Sequence, residues 1–178
     1  TYSRRAAFIG NPVHEIAVAD FEVSATLVTQ AEWIRLMPTN PSVHKTGLNS
    51  LHPVDNVRFK DVAEFANRLS ADAGLPLAYP ADGTQRSTEA MEGYRLLTID
   101  EYNYLLSQAL PARVKSSDLL NHLWIRESAG GTSHEVGSTK QSFAIDGHEI
   151  HDLLGNLGTW LHVSPASILV GYASFNFS

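Results

Sequence analysis

The sequence predicts an α+β domain in which short helices and small strand pairs are joined by long loops. Two helix-opening capping boxes, alternating apolar residues near both ends and many loop-forming residues between them predict this class. Neither an internal repeat nor a shift in composition divides the 178 residues. We therefore expect one domain spanning residues 1–178.

The first predicted elements are a strand and a short capped helix. Apolar residues alternate with others over 13–24, which is typical of a strand or one arm of a hairpin. Thr29 and Glu32 have the spacing of a capping box, with Thr29 as the N-cap residue. The helix that they open is expected to end before Pro38.

A long loop and a second helix follow. Residues 38–53 are rich in proline, asparagine, serine and threonine, and residues 54–59 are expected to be extended. Apolar residues at helical spacing predict a helix over about 60–73, with Gly74 ending it. Residues 75–92 are predicted to be irregular.

The third helix begins at a second capping box, formed by Thr98 and Glu101, and ends before Pro111. Residues 112–147 are expected to be mostly loop. Weak alternation from residue 160 to residue 178 predicts strand.

Composition excludes several classes of protein. Hydrophobic residues make up 43% of the chain and charged residues 18%, which is enough apolar material for a packed core. A net charge of −6 disfavours a nucleic-acid partner. No apolar run is long enough to span a membrane, and no signal-peptide pattern opens the chain. The absence of cysteine removes disulfides, thiolate nucleophiles and cysteine-ligated metals.

Four segments occur in an order that resembles a known family. Residues 12–33, 52–70, 93–105 and 150–160 read PVHEIAVADFEVSATLVTQAEW, HPVDNVRFKDVAEFANRLS, GYRLLTIDEYNYL and IHDLLGNLGTW. Together they resemble the formylglycine-generating-enzyme or sulfatase-modifying-factor family, a branch of the C-type-lectin fold. The resemblance implies two to three short helices around small antiparallel sheets, with abundant loop.

The chain departs from this family where the family does its chemistry. Catalytic members resemble one another in a cysteine-containing C-terminal segment that binds copper and oxidises a substrate cysteine, and this chain has no cysteine. Its end aligns before that segment, so we expect a domain that is incomplete at the C-terminus relative to the family. The resemblance thus implies a divergent, non-catalytic member without catalytic residues.

The calcium motif of the family is also degraded. Thr159 stands where the family has a glutamate that helps to hold structural calcium, although Asn156 remains. The expectation is therefore no cofactor. His148, Glu149 and His151 lack the helical HExxH spacing, so no metal site is predicted there either.

Four polar residues in the signatures are predicted to be structural: Arg95, Glu101, Asp152 and Asn156. Arg95 lies beside a helix start, and we expect it to pair with a buried carboxylate, either Asp152 or Glu101. Asp152 is expected to cap or orient the turn that contains Asn156. The large aromatic residues at signature positions, Tyr94 and Tyr102 among them, are predicted to lie in the core.

The ligand face is predicted near the C-terminus, because lectin-type folds display ligands on late loops and strands. The candidate ligand-binding residues are Trp160, His162, Tyr172, Phe175 and Asn176. Aromatic residues mixed with asparagine and histidine suit an adaptable contact surface. The alternative is that half of them alternate into the core.

The favoured function is a non-catalytic binding or structural module for a protein or glycan ligand on a surface. A phage virion or cell-surface protein is the preferred version. One alternative is a divergent or truncated oxidoreductase of the formylglycine-generating or sulfoxide synthase type. Another is an assembly subunit of a larger shell or secretion complex, which would self-assemble. Neither a nucleic-acid partner nor a membrane span is expected.

Overall fold

The computed structural model describes residues 2–6, 14–80, 92–109, 123–125, 128–138, 142–145, 147–164 and 167–170. The elements in these ranges are β1 (Tyr2–Ala6), β2 (His14–Val18), α1 (Gln30–Leu36), α2 (Phe59–Asp72), α3 (Ile99–Ala109), β3 (Ser142–Ile145), β4 (His148–His151), β5 (Trp160–Ser164) and β6 (Ser167–Val170). No helix within these ranges has the length and apolar character needed to cross a bilayer.

The strands form three separate antiparallel pairs among the described residues: β1 with β2, β3 with β4, and β5 with β6. Three short helices beside small antiparallel sheets confirm the predicted α+β class. The first predicted strand is real but shorter, since β2 covers only His14–Val18 of the predicted 13–24.

Within 112–147, predicted to be mostly loop, the described residues contain one strand, β3, which pairs with β4 just beyond this range. Phe143 lies opposite Ile150, and both are buried, while Gly147 supplies the positive φ of 81° that the connection needs. Each strand has only four residues. A run this short contains too few alternations to be distinguished from loop in the sequence.

The capping box at Thr29 is confirmed, and it fixes the start of α1. The Thr29 hydroxyl accepts the Glu32 N–H at 3.2 Å, and the Glu32 carboxylate accepts the Thr29 N–H at 2.8 Å. Further along α1, Trp33 stacks on Phe65 of α2 with ring centroids 4.9 Å apart. This contact packs α1 against α2.

The start of α2 corrects the prediction of an extended run over 54–59. Phe59 is already helical, and residues 54–58 form an irregular connection. At the other end, Gly74 has a φ of 69°, as predicted for a helix-ending glycine.

The largest core cluster lies between α3, β3, β4 and β5. Its buried members include Leu105, Phe143, Ile150 and Leu161. Tyr102 of α3 is 3% exposed, and its hydroxyl donates to the Leu153 carbonyl at 2.7 Å. Burial raises the pKa of Tyr102 to about 12, so its phenol keeps its proton and this bond near neutral pH.

Candidate functional site

The signature around Arg95 forms a buried ion pair that doubles as a helix cap. The Arg95 guanidinium contacts both carboxylate oxygens of Glu101, at 2.8 and 2.6 Å. Glu101 also accepts the Thr98 N–H at 2.7 Å, and the Thr98 hydroxyl accepts the Glu101 N–H at 3.1 Å. Of the two carboxylates considered from the sequence, Glu101 is the one that contacts Arg95.

The charge of Glu101 is stabilised by these partners. Burial by itself would raise the pKa of Glu101, but the hydrogen bonds from Arg95 and Thr98 and the positive charge of Arg95 outweigh it. The pKa therefore lies below its ordinary value of 4.5. The side chains of Arg95 and Glu101 are only 11% and 9% exposed, so this ion pair is almost entirely shielded from solvent.

A second polar cluster holds the turn after β4. The Asn156 side chain bonds both backbone groups of His134: its oxygen accepts the His134 N–H at 3.0 Å, and its amide donates to the His134 carbonyl at 2.9 Å. Asn156 is fully buried and has a φ of 59°, a left-handed conformation that asparagine tolerates. The oxygen that the family motif would offer to a cation is thus engaged by the chain itself.

Asp152 ties this turn to the segment before β3. Its Oδ2 accepts the Gly137 N–H at 2.8 Å, and its Oδ1 faces the Asn156 amide at 3.4 Å. Burial raises the pKa of Asp152, and the bonds from Gly137 and Asn156 offset only part of this rise. The neighbouring His151 ring packs over Gly137, and its Nε2 lies 3.8 Å from Glu149 Oε2.

His162, a predicted ligand-binding residue, lies in the interior. It is 2% exposed, stacks on Tyr79 with centroids 5.7 Å apart, and its Nε2 lies 3.0 Å from the Tyr79 hydroxyl. That hydroxyl also accepts the Leu96 N–H at 3.0 Å. Phe59 meets the His162 ring edge-on. His162 therefore contributes to packing within this cluster.

Trp160 is the candidate ligand residue that retains partial exposure. Its ring meets Phe59 at 6.3 Å between centroids, and its Nε1 donates to the Val57 carbonyl at 3.3 Å. These contacts hold the indole at the start of β5. Tyr172, Phe175 and Asn176 lie outside the described residues.

The sequence did not single out Gln30 or Tyr79, which organise two loops. Gln30 is fully buried; its amide donates to the His44 carbonyl at 3.0 Å, and its oxygen accepts from Asn40 at 2.8 Å. The Asn67 side chain holds the Tyr79 backbone: its amide donates to the Tyr79 carbonyl at 2.8 Å, and its oxygen accepts the Tyr79 N–H at 3.0 Å. The sequence feature that could have indicated the role of Gln30 is its position at the start of a helix that is followed by a polar loop.

A shallow groove of about 510 Å³ runs along the solvent side of α2. Lys60, Asn67, Arg68, Leu77 and Pro80 are among its lining residues. The Asn67 side chain is hydrogen-bonded to the Tyr79 backbone, and the Arg68 guanidinium forms an ion pair with Glu64 at 2.6 Å. Among the described residues, no three histidine, aspartate or glutamate side chains group as metal ligands would.

Comparison with known proteins agrees with this architecture. Residues 1–165 match the Sulfatase-modifying factor enzyme 1-like domain, named FGE-sulfatase. The solved structure of Treponema denticola variable protein 1 superposes with a TM-score of 0.80 at 20% identity, covering 99% of this chain and 82% of that chain. This likeness shows the fold. A search of curated proteins returned no match. Because the family match spans most of its length, the chain belongs to the FGE-sulfatase family of Sulfatase-modifying factor enzyme 1-like domains.

Proposed function

We propose that this chain is a non-catalytic member of its family that binds a protein or glycan ligand on a surface. One observation carries the proposal: the four polar side chains predicted to be structural are engaged by the chain itself. Arg95 pairs with Glu101, which caps α3, while Asp152 holds Gly137 and Asn156 holds His134. These groups support a scaffold, and the sequence offers no cysteine for the family's oxidation chemistry.

The ligand surface in this proposal is built from the C-terminal face. Trp160 contributes a partly exposed indole that is held at the start of β5, while Tyr172, Phe175 and Asn176 supply further contacts. His162 stacks on Tyr79 and so fixes β5, the strand that carries Trp160. A rigid scaffold that displays aromatic and amide groups lowers the entropy lost on binding. The similar chain from Treponema denticola carries the name variable protein, which accords with such a surface.

A phage virion or cell-surface location is the version of this proposal that we favour. A surface-displayed module needs an adaptable face on a stable frame, and the frame here is held by buried polar clusters. The formylglycine-generating version of the oxidoreductase alternative requires a redox-active cysteine, which these 178 residues do not supply.

Binding to arrays of immobilised glycans and peptides tests the proposal. We expect selective binding that is lost in a triple variant, Tyr172→Ala with Phe175→Ala and Asn176→Ala, and retained in Val23→Ser. Val23 is exposed and lies far from these residues in sequence. Binding that survives the triple variant would contradict the assigned face. Aldehyde formation on a cysteine peptide with added copper would contradict the non-catalytic function.

A further inference from the structure

The exposed apolar side chains of the described residues are concentrated in two patches. Seven large apolar residues are at least 36% exposed there, and all but Val23 belong to these patches. The loop patch consists of Val43, Leu48 and Leu51, exposed by 58%, 81% and 53%. The helix-end patch consists of Leu75, Leu77 and Tyr94, exposed by 37%, 51% and 46%.

The loop patch stands on a polar framework. The Gln30 side chain holds the His44 carbonyl at 3.0 Å, and Asp55 Oδ1 accepts the Val43 N–H at 2.9 Å. The Leu51 carbonyl accepts the Val136 N–H at 2.9 Å. Because the loop backbone is anchored at both ends of the patch, its apolar side chains can dock with little loss of conformational entropy.

The helix-end patch is formed by two segments that lie side by side. Ser70 connects them, since its carbonyl accepts the Leu75 N–H at 2.8 Å and its hydroxyl accepts the Tyr94 N–H at 2.8 Å. A Cβ on Gly93 would come within 2.0 Å of the Pro76 carbonyl oxygen, so the backbones are in close contact. Leu77 extends the patch to the groove along α2.

The two patches carry opposite charge. Lys45 is the one formally charged residue between positions 38 and 54, and it is exposed. The helix-end patch is flanked by Asp72 and Glu92, both exposed. The groove that its Leu77 lines adds one exposed carboxylate and two exposed cations, so this side has three carboxylates against two cations. An apolar surface with one cation would therefore meet an apolar surface with a small excess of carboxylates, which is favourable for register and orientation.

The two patches are anchored near opposite ends of α2. The loop patch is bonded to Asp55, just before α2, and the helix-end patch follows its last turn. The 14 residues of α2 place these anchor points about 21 Å apart at 1.5 Å per residue. One copy can therefore use both patches at once.

We propose that the loop patch of one copy docks on the helix-end patch of the next. A symmetric contact of two loop patches would bring Lys45 against its own equivalent, whereas the head-to-tail contact pairs it with Asp72 or Glu92. Head-to-tail contacts generate rings or filaments. Three side chains on each surface make a small interface, so the association belongs to the weak class. The residues of this contact are distant in the sequence from those of the proposed ligand face.

Sedimentation velocity of the 178-residue chain tests the proposal over about 5–500 μM, the range suited to a weak interface. We expect concentration-dependent assembly that Leu48→Asp or Leu77→Asp weakens at least about tenfold, as for central interface residues. Lys45→Glu weakens it, and Lys45→Glu with Asp72→Lys and Glu92→Lys restores it. Val23→Asp is the matched control and leaves it unchanged.

Mixing the two single variants separates this arrangement from a symmetric one. Leu48→Asp keeps an intact helix-end patch, and Leu77→Asp keeps an intact loop patch. In an equimolar mixture these two patches pair, and no further copy can add, so we expect dimers and no larger species. A protein that stays monomeric throughout the range, or assembly that Leu48→Asp leaves intact, would overturn the proposal. The ligand arrays described above read out the other face independently.

Discussion

Loss of the Glu101 carboxylate should destabilise the folded protein. Glu101→Gln leaves the Arg95 charge buried and weakens the cap of α3, and we expect the free energy of unfolding to fall by about 2–4 kcal/mol. Urea denaturation measures it. The control is Glu64→Gln, because the Glu64–Arg68 pair is nearly half exposed and should contribute less than about 0.5 kcal/mol. Equal losses in the two variants would contradict a special role for the buried pair.

The two buried carboxylates should respond to pH in opposite ways. The folded-state pKa of Glu101 lies below the ordinary 4.5, so its contribution is present above that pH and is lost as pH falls through the folded value. The pKa of Asp152 lies above the ordinary 3.8, so its ionisation costs stability as pH rises through the folded value. Denaturation between pH 3 and 7 should show a flatter acid limb in Glu101→Gln. In Asp152→Asn, stability relative to the native chain should improve as pH rises, and a constant difference would refute this.

Within the elements, the turn after β4 depends on a glycine with no room for a side chain. Gly155 has a φ of 87°, and an added Cβ would lie 2.7 Å from the Trp124 carbonyl oxygen. Gly155→Ala should therefore cost about 2–4 kcal/mol, from backbone strain and the displaced Trp124 backbone. Gly147→Ala is the control: its φ is 81°, but nothing lies within 4 Å, so only the roughly 1 kcal/mol cost of a left-handed alanine applies. Similar melting temperatures for the two variants would be inconsistent with this packing.

The sequence predicts elements whose signals are local and misses those whose partners are distant. Thr29 and Glu32 are three residues apart, so their capping box is visible in a short window. Tyr79 and His162 are 83 residues apart, and nothing near either one indicates the contact. Of the aromatic residues predicted to lie in the core, Tyr102 is buried, whereas Tyr94 is 46% exposed. The burial of a particular aromatic residue is therefore harder to predict from the sequence than a helix start.

Candidate site residues follow the same division. The pairing of Arg95 with Glu101 spans six residues within one signature and is one of the two pairings that the sequence predicts. The contact of Asn156 with the His134 backbone spans 22 residues and could not be read from the turn alone. His162 has the alternation of a surface strand, yet the aromatic cluster of Tyr79 and Phe59 covers it. Long-range packing decides exposure, which local periodicity does not encode.

At the scale of the whole molecule, Tyr79 joins two parts of the core. One cluster contains α1 and α2, with Trp33 on Phe65, and the other surrounds α3 and β3 to β5. Tyr79 packs with α2 residues and bonds both His162 of β5 and the Leu96 N–H that precedes α3. Its hydroxyl is therefore a direct polar link between the two parts.

Tyr79→Phe should weaken that link while leaving the packed ring in place. Loss of the hydroxyl removes the acceptor of the partly buried Leu96 N–H and a partner of His162 Nε2, at a cost of about 1–3 kcal/mol. Amide hydrogen exchange measures where the loss appears. Relative to the native chain, we expect exchange to accelerate more in the amides of α2 than in those of α3. The reason is that the link between the two parts is weakened while each cluster keeps its own contacts. Tyr94→Phe, on an exposed ring, is the control and should change neither set; a uniform acceleration of both helices in Tyr79→Phe would instead mean that the core opens as one unit.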